Sequence, residues 1–287
     1  MTTDTPGENT YVLDSESPAE MARLINLDRI TTKAMGGPLA GLPDPSTFHY
    51  ILDLACGPGG WVLDVAFDHP DIEVAGVDIS KIMIDYANAR ARTQKLPNAS
   101  FGIMDITQPL DFSDNTFDLI NARFLAGVLR RDAWTQFIVE CTRILRPGGI
   151  LRLTEPIDTG VSNSPALERL QALGRQMLWR AGYTFSVDGF AYGLTHMLPR
   201  LLREAGYHNI QHRAHALEFS AGTEGWIDVY QNWLVLLELT KGLYVKMGLA
   251  TQEDADNLHQ QAIIEMQQNT FCGMWHFMSV WGQKPQE

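Results

Sequence analysis

The run Ile51-Leu52-Asp53-Leu54-Ala55-Cys56-Gly57-Pro58-Gly59-Gly60-Trp61 constrains this chain more than any other stretch. A short apolar run, a glycine-rich turn and a helix-forming segment read as a buried strand, a tight loop and a helix N-terminus. Glycines let the backbone approach a ligand where a Cβ would clash. A second apolar run, Glu73-Val74-Ala75-Gly76-Val77-Asp78-Ile79-Ser80, ends on an acid. Strand, glycine turn, helix, strand, acid is the layout of a nucleotide-binding βαβ unit, with the acid placed to accept hydrogen bonds from ribose hydroxyls.

The same alternation continues. Strands are predicted at 50–55, 73–78, 99–103, 117–121 and 150–155, with helices at 59–68, 80–94 and 131–144 between them. A helix at 198–205, a strand at 209–219, a helical block at about 223–268 and a last strand at 270–283 complete the pattern. Strands alternating with helices predict an α/β fold with a parallel sheet covered on both faces. Near the N-terminus Met21, Leu24, Ile25, Leu27 and Ile30 form a helical stripe, with Ser17 as N-cap, Pro18 at the first helical position and a stop at Gly36-Gly37-Pro38. Residues 1–10 are polar and predicted to be disordered. The organisation that follows is an N-terminal lid helix and linker at 1–48, a nucleotide-binding core at 49–160, a cap insert at 161–200, and the rest of the sheet with a helical insert at 201–287.

With 287 residues and a net charge of −12, the chain lacks the basic face expected of a nucleic-acid partner. No long apolar run predicts a membrane span, and the first residues do not read as a secretory signal. Cys56, Cys141 and Cys272 are odd in number and widely spaced, which predicts a reduced, cytoplasmic protein with no disulfide framework and no metal site.

Gly57 and Gly59 fill two positions of a dinucleotide fingerprint, but Val62 stands at the third, where glycine permits close helix–strand packing. The pattern Asp53-x-x-Cys56-Gly57-x-Gly59 instead resembles the first motif of the class I S-adenosylmethionine-dependent methyltransferases, in particular those acting on small molecules. Leu145-Arg146-Pro147-Gly148-Gly149 resembles the turn before the fifth strand of that family. The resemblance covers residues 50–155 closely and the terminal strand pair more loosely. It implies a Rossmann-like, seven-stranded, mainly parallel sheet with helices on both faces, an antiparallel last strand, an N-terminal helical lid and helical inserts.

The resemblance also implies roles. Ala55, Gly57 and Gly59 would lie under the methionine half of S-adenosylmethionine, with Asp53 ordering the loop or meeting the amino group. Asp78 would take the ribose, with Ile79 and Met83 beside the adenine. Asp105 and the backbone of Ile106 would take the adenine edge. Asn121, Ala122 and Arg123, at the end of the fourth strand, would lie beside the sulfonium, and Tyr11 would close over the cofactor. The acceptor would be an apolar or aromatic small molecule of the secondary-metabolite kind, methylated on O, N or C, leaving S-adenosylhomocysteine. Glu155 and the aromatic inserts, represented by Trp179, Phe185, Tyr192, His196, Trp226 and Tyr230, are the expected acceptor contacts. His196 is the candidate base. The apolar block 226–247 suggests a homo-oligomer contact. Three alternatives stay open on sequence alone: carbon methylation coupled to cyclisation or rearrangement, a nicotinamide-dependent oxidoreductase, and a non-catalytic cofactor-binding protein.

Overall fold

A computed structural model describes residues 11–286, so the disorder expected for the first ten residues lies outside the described part. Five strands form the parallel half of the sheet: β1 (Tyr50–Leu54), β2 (Glu73–Asp78), β3 (Ala99–Ile103), β4 (Phe117–Arg123) and β5 (Leu145–Pro156). The C-terminal half adds β6 (Val161–Ser162), β7 (His208–Glu218) and β8 (Gly273–Gln283), giving the order β3-β2-β1-β4-β5-β8-β6 with β7 paired to β8. β8 runs antiparallel to β5, β6 and β7. The strand count is eight, one more than the family pattern implies. The extra strand is the two-residue β6 against Met274 and Gly273, too short to leave a period in the sequence. β5 also starts at Leu145, so the Pro147-Gly148-Gly149 turn lies inside it, with Gly148 at φ +76°.

Alternation along the strands sorts the two faces. Leu52, Leu54, Ile120, Leu151 and Leu153 pack with Trp134 and Phe137 of α4 (Trp134–Ile144) and with Leu198 and Leu202 of α6 (Leu198–Glu204). Ile51, Val74, Leu119 and Ile150 pack on the other face with Trp61, Val62 and Val65 of α2 (Gly60–Asp68). α3 (Lys81–Gln94) follows β2 and packs on β2 and β3. Asp53 shares a strand face with Ile51, yet it is 2% exposed at the carboxyl end.

A third apolar cluster forms a cap over that end. It joins α1 (Pro18–Met35), α5 (Pro165–Arg180), α7 (Trp226–Lys246) and α8 (Gln252–Met266). α1 begins with Ser17 accepting from the Glu20 amide and ends on Gly36 at φ +87°. α5 begins the same way, with Ser164 accepting from Leu167 N–H and Pro165 at its first turn. The apolar block 226–247 becomes α7, whose buried face packs on α1, α5 and α8. No helix among the described residues is long and apolar enough to cross a membrane.

Glu155, at the end of β5, is fully buried and faces backbone rather than a cavity. Its Oε1 accepts from Leu125 N–H at 2.7 Å and its Oε2 from Ala126 N–H at 3.1 Å, which fixes the turn after β4. Burial pushes its carboxyl up to about 8 against the pull of those two amides. The unfolded chain ionises this group near 4.5, so the folded state holds an extra proton between the two values. Stability from this group is therefore full at low pH and is lost as pH rises through about 8. Thermal unfolding followed from mildly acidic to mildly basic pH should show the wild type losing stability along that range. Glu155→Gln should lower stability overall, because Ala126 N–H loses its acceptor, but with a flatter pH profile. Parallel profiles would contradict the assignment.

Candidate active site

The loop after β1 turns on two left-handed residues, Ala55 at φ +53° and Gly57 at φ +53°, which brings its backbone under the carboxyl edge. Asp78, at the end of β2, reaches across to it. Its Oδ2 accepts from Gly57 N–H at 2.9 Å and its Oδ1 from Ser80 N–H at 2.9 Å. Each oxygen keeps a lone pair for a further donor. Burial raises its carboxyl above the usual range, with the backbone amides pulling the other way.

The cavity above this loop is lined by Tyr11, Asp53, Ala55, Gly57, Asp78, Ile79, Met83, Asp105, Ile106 and Arg123 among the expected cofactor residues. It encloses about 1000 Å³ of space, its open mouth included. Asp105 holds its own loop, accepting from Thr107 N–H at 2.9 Å and Thr107 Oγ1 at 2.7 Å. Three expected residues are not at the wall. Gly59 caps α2 at φ +75°, where a Cβ would fall 2.5 Å from the Phe101 ring. Ala122 is buried in the core beneath the site. Asn121 is fully buried and supports the site from below, donating to Asp53 Oδ1 at 2.7 Å while accepting from Arg152 Nε at 2.8 Å.

The charges at the floor form one linked set. Arg123 Nη2 donates to Asp28 Oδ1 at 2.5 Å and Arg123 Nη1 to Thr32 Oγ1 at 3.0 Å. Arg123 Nε is buried and has no hydrogen-bond partner among the described residues. Burial pushes the Asp53 carboxyl up to about 7, opposed by the Arg123 charge and the Asn121 amide. Asp28 comes from α1, far from the glycine motif in sequence. Its carboxylate sits at the N-terminus of α2, where a Cβ on Gly60 would be 1.8 Å from Oδ2. A carboxylate is favoured there by the free amides of the first helical turn.

The segment before α1 is fastened over the cavity. Val12 N–H donates to Gly127 O at 3.1 Å, Ser80 Oγ to Ser15 O at 3.0 Å and Lys81 N–H to Glu16 Oε1 at 3.1 Å. The Tyr11 hydroxyl donates to Glu20. Ser15, Leu24, Leu27 and Asp28 also cover the cavity; Leu24 and Leu27 belong to the stripe of the expected lid helix, whereas Ser15 and Asp28 carry no local signal and are placed by long-range contacts.

A second cavity lies behind the first, and the two share Tyr11, Leu27 and Phe124. Its wall is apolar over most of its extent, with Ile30, Met177, Leu178, Trp233, Leu236 and Trp275. Phe124 adopts φ +59°, a left-handed conformation unusual for a bulky residue. Its ring stacks on Trp275 at 5.6 Å and meets Phe277 at 5.9 Å. Strain of this kind costs about 1–3 kcal/mol and persists where the surroundings over-determine it. Sequence reading stopped one residue short, at Arg123.

Of the expected acceptor contacts, Tyr192 alone lines this chamber. Trp179 is 38% exposed on the outer face of the cap. Phe185 packs against the core cluster below the sheet. Trp226 and Tyr230 stack on each other at 5.3 Å and are tied to Met266 O and Gln267 at the end of α8. Glu155 is held by the turn after β4. His196 is exposed and lines neither cavity. The one carboxylate among the chamber-lining residues is Asp158, whose Oδ1 accepts from Gly160 N–H at 2.7 Å. No cluster suited to holding a metal ion occurs among the described residues.

Residues 51–149 match the profile of a methyltransferase domain. Among curated proteins, the chain is 29% identical over 160 residues to methyltransferase pytC of Aspergillus terreus, covering 55% of this chain and 46% of that protein. It is 32% identical over 103 residues to demethylmenaquinone methyltransferase of Lactiplantibacillus plantarum, covering 36% of this chain and 43% of that protein. The chain thus spans less than half the length of these relatives. Among solved structures, a chain of the complex between the Haloferax volcanii Trm112 methyltransferase activator and a methyltransferase shares the fold, with TM-score 0.55, 17% identity, and coverage of 95% of this chain and 98% of that one.

The close approach at Gly60 gives a test of the floor. Gly60→Ala should destabilise the protein by about 1–3 kcal/mol through overpacking, because Asp28 must move off Arg123. In the Asp28→Ala background the same substitution should cost far less, a coupling that a double-mutant cycle of thermal unfolding reads directly. Equal costs in both backgrounds would contradict the packing.

Proposed function

We propose that the protein, whose residues 51–149 match the profile of a methyltransferase domain, transfers a methyl group from S-adenosylmethionine to an apolar or aromatic small molecule held in the second cavity. The observation that carries this reading is the wall shared by the two cavities: Tyr11, Leu27 and Phe124 face, on one side, a cavity with Asp53, Asp78, Asp105 and Arg123 in its lining and, on the other, an apolar chamber. The relative named demethylmenaquinone methyltransferase carries an acceptor of that apolar, ringed kind in its name. The nicotinamide alternative loses its footing with the family match.

The residues of the first cavity fit the cofactor. Arg123 Nε is an orphaned buried donor suited to a carboxylate, and Asp53 beside it suits an ammonium group. Asp78 takes the ribose hydroxyls with its remaining lone pairs. Asp105 and the backbone of Ile106 take the adenine edge. S-adenosylmethionine supplies an electrophilic methyl on a sulfonium with a neutral leaving group. The chain therefore has to align and to exclude water. Holding two reactants in line is worth about 7–11 kcal/mol of barrier. The fastened N-terminal segment and α1 keep water from the shared wall. A base is required only for an acceptor that holds its proton at neutral pH, and Asp158 is the carboxylate at the chamber wall. The reduced, cytoplasmic setting read from the cysteines belongs to the same proposal.

Three outcomes test the reading. Asp78→Ala should weaken S-adenosylmethionine binding at least about tenfold by calorimetry, the scale of a lost charge-assisted hydrogen-bond pair; unchanged affinity would remove Asp78 from the site. Affinity should rise as pH climbs through about 7, because the free protein must release the Asp53 proton to face an ammonium group, and Asp53→Asn should flatten that rise. Incubation with methyl-labelled S-adenosylmethionine and a pooled apolar metabolite extract should place label in a new low-mass species. Cofactor binding without transfer to any extract would favour a non-catalytic binding protein.

A further inference from the structure

The polar groups at the chamber wall are mostly satisfied within the protein. Gln171 Nε2 donates to Thr159 O at 3.0 Å, and Thr240 Oγ1 donates to Leu236 O at 2.8 Å. Asn232 differs. It is 9% exposed, lines the chamber, and its Oδ1 accepts from Arg23 Nη1 at 3.0 Å. That bond settles the orientation of the amide, since arginine only donates. Arg23 is held in turn by Glu20, with Nε to Oε2 at 2.8 Å and Nη2 to Oε1 at 2.6 Å. Tyr11, which lines both cavities, closes the same set through Glu20. The Asn232 Nδ2 makes no hydrogen bond among the described residues, so a rigidly backed donor stands at an apolar wall near the junction with the cofactor cavity.

We propose that Asn232, clamped through Arg23 and Glu20, donates a hydrogen bond to an oxygen of the acceptor, so that the chamber takes ring-bearing apolar molecules carrying a carbonyl, phenol or enol oxygen rather than hydrocarbons or amines. This rests on the reading of the chamber as the acceptor site. A donor fixed in advance loses little entropy on binding. Left without a partner in a buried site it is costly, and this makes the chamber discriminate against analogues that lack the oxygen. Tyr192, at the same wall, also has a hydroxyl without a hydrogen-bond partner among the described residues and offers a second polar contact. The Arg23 charge behind Asn232 is matched by Glu20, so the site favours a neutral or delocalised oxygen over a full carboxylate.

The test uses 1-tetralone and tetralin, which differ by one ring carbonyl, titrated into the full-length protein saturated with S-adenosylhomocysteine. Fluorescence of Trp233 and Trp275, both at the chamber wall, reports binding. The wild type should bind 1-tetralone roughly tenfold more tightly than tetralin, the upper end of one neutral hydrogen bond. Asn232→Asp keeps an oxygen for Arg23 and replaces the free donor by an acceptor. It should abolish the preference while leaving tetralin and S-adenosylhomocysteine affinities in place. Asn232→Leu, which removes the donor without adding charge, should equalise the two ligands as well. Equal binding of both probes by the wild type, or a preference that survives both substitutions, overturns the role of Asn232 and leaves the apolar acceptor chamber standing. Binding of neither probe overturns the chamber reading itself.

Discussion

The carboxyl edge of the sheet depends on the ion pair between Arg123 and Asp28. Arg123 comes from the last residue of β4 and Asp28 from the middle of α1, so the pair ties the lid to the floor. Both charges are largely out of water, with side chains 10% and 15% exposed. Removing one partner of a buried pair leaves an uncompensated charge, a loss of about 3–5 kcal/mol. α1 is therefore held by a directional, charged contact in addition to apolar packing. That contact needs the bare backbone of Gly60, so the glycine motif serves the lid as well as the ligand. Once α1 is seated, its Leu27 joins Tyr11 and Phe124 in the wall that separates the two cavities.

That wall organises the proposed chemistry. On the cofactor side stand carboxylates and one arginine with a free Nε; on the far side stand Ile30, Trp233 and Trp275. Phe124 sits at the boundary in a strained conformation, braced by Trp275 and Phe277 and by its backbone N–H donating to Thr154 O at 2.8 Å. Methyl transfer from a sulfonium needs alignment more than proton handling, and a rigid aromatic boundary supplies alignment. Among the described residues no histidine lines either wall.

The parts of this design that were readable in the sequence are the local ones. The βαβ layout from Ile51 to Asp78 is contiguous, so its strand, turn and acid can be read in order, and Ser17-Pro18 announces α1 directly. α5 carries the same Ser-Pro signature at Ser164-Pro165 and was not read as a helix. Asp28, Phe124 and Asn232 are legible only once distant segments meet: nothing around Asp28 in the chain marks it as the partner of a residue at the end of β4. The aromatic inserts divide between packing and the chamber wall. Trp179, Trp226 and Tyr230 are large and apolar, but the first faces outward and the other two stack at the end of α7 against α8, so size alone did not tell pocket from packing. The chamber is lined by Val229, Asn232, Trp233, Leu236, Thr240 and Tyr244, the side of α7 turned toward α1 and α5, so Trp233 and Tyr244 are the aromatics of this insert that reach it.

On the proposed reading one wall divides a cofactor cavity from an acceptor chamber, and the methyl crosses at Tyr11, Leu27 and Phe124. A crystal structure with S-adenosylhomocysteine tests it most directly. Ribose hydroxyls are expected on Asp78, the adenine beside Asp105 and Ile106, the carboxylate at Arg123 Nε, and the sulfur facing the chamber at that shared wall. A ligand seated elsewhere, or one whose sulfur points away from Phe124 toward solvent, would contradict it.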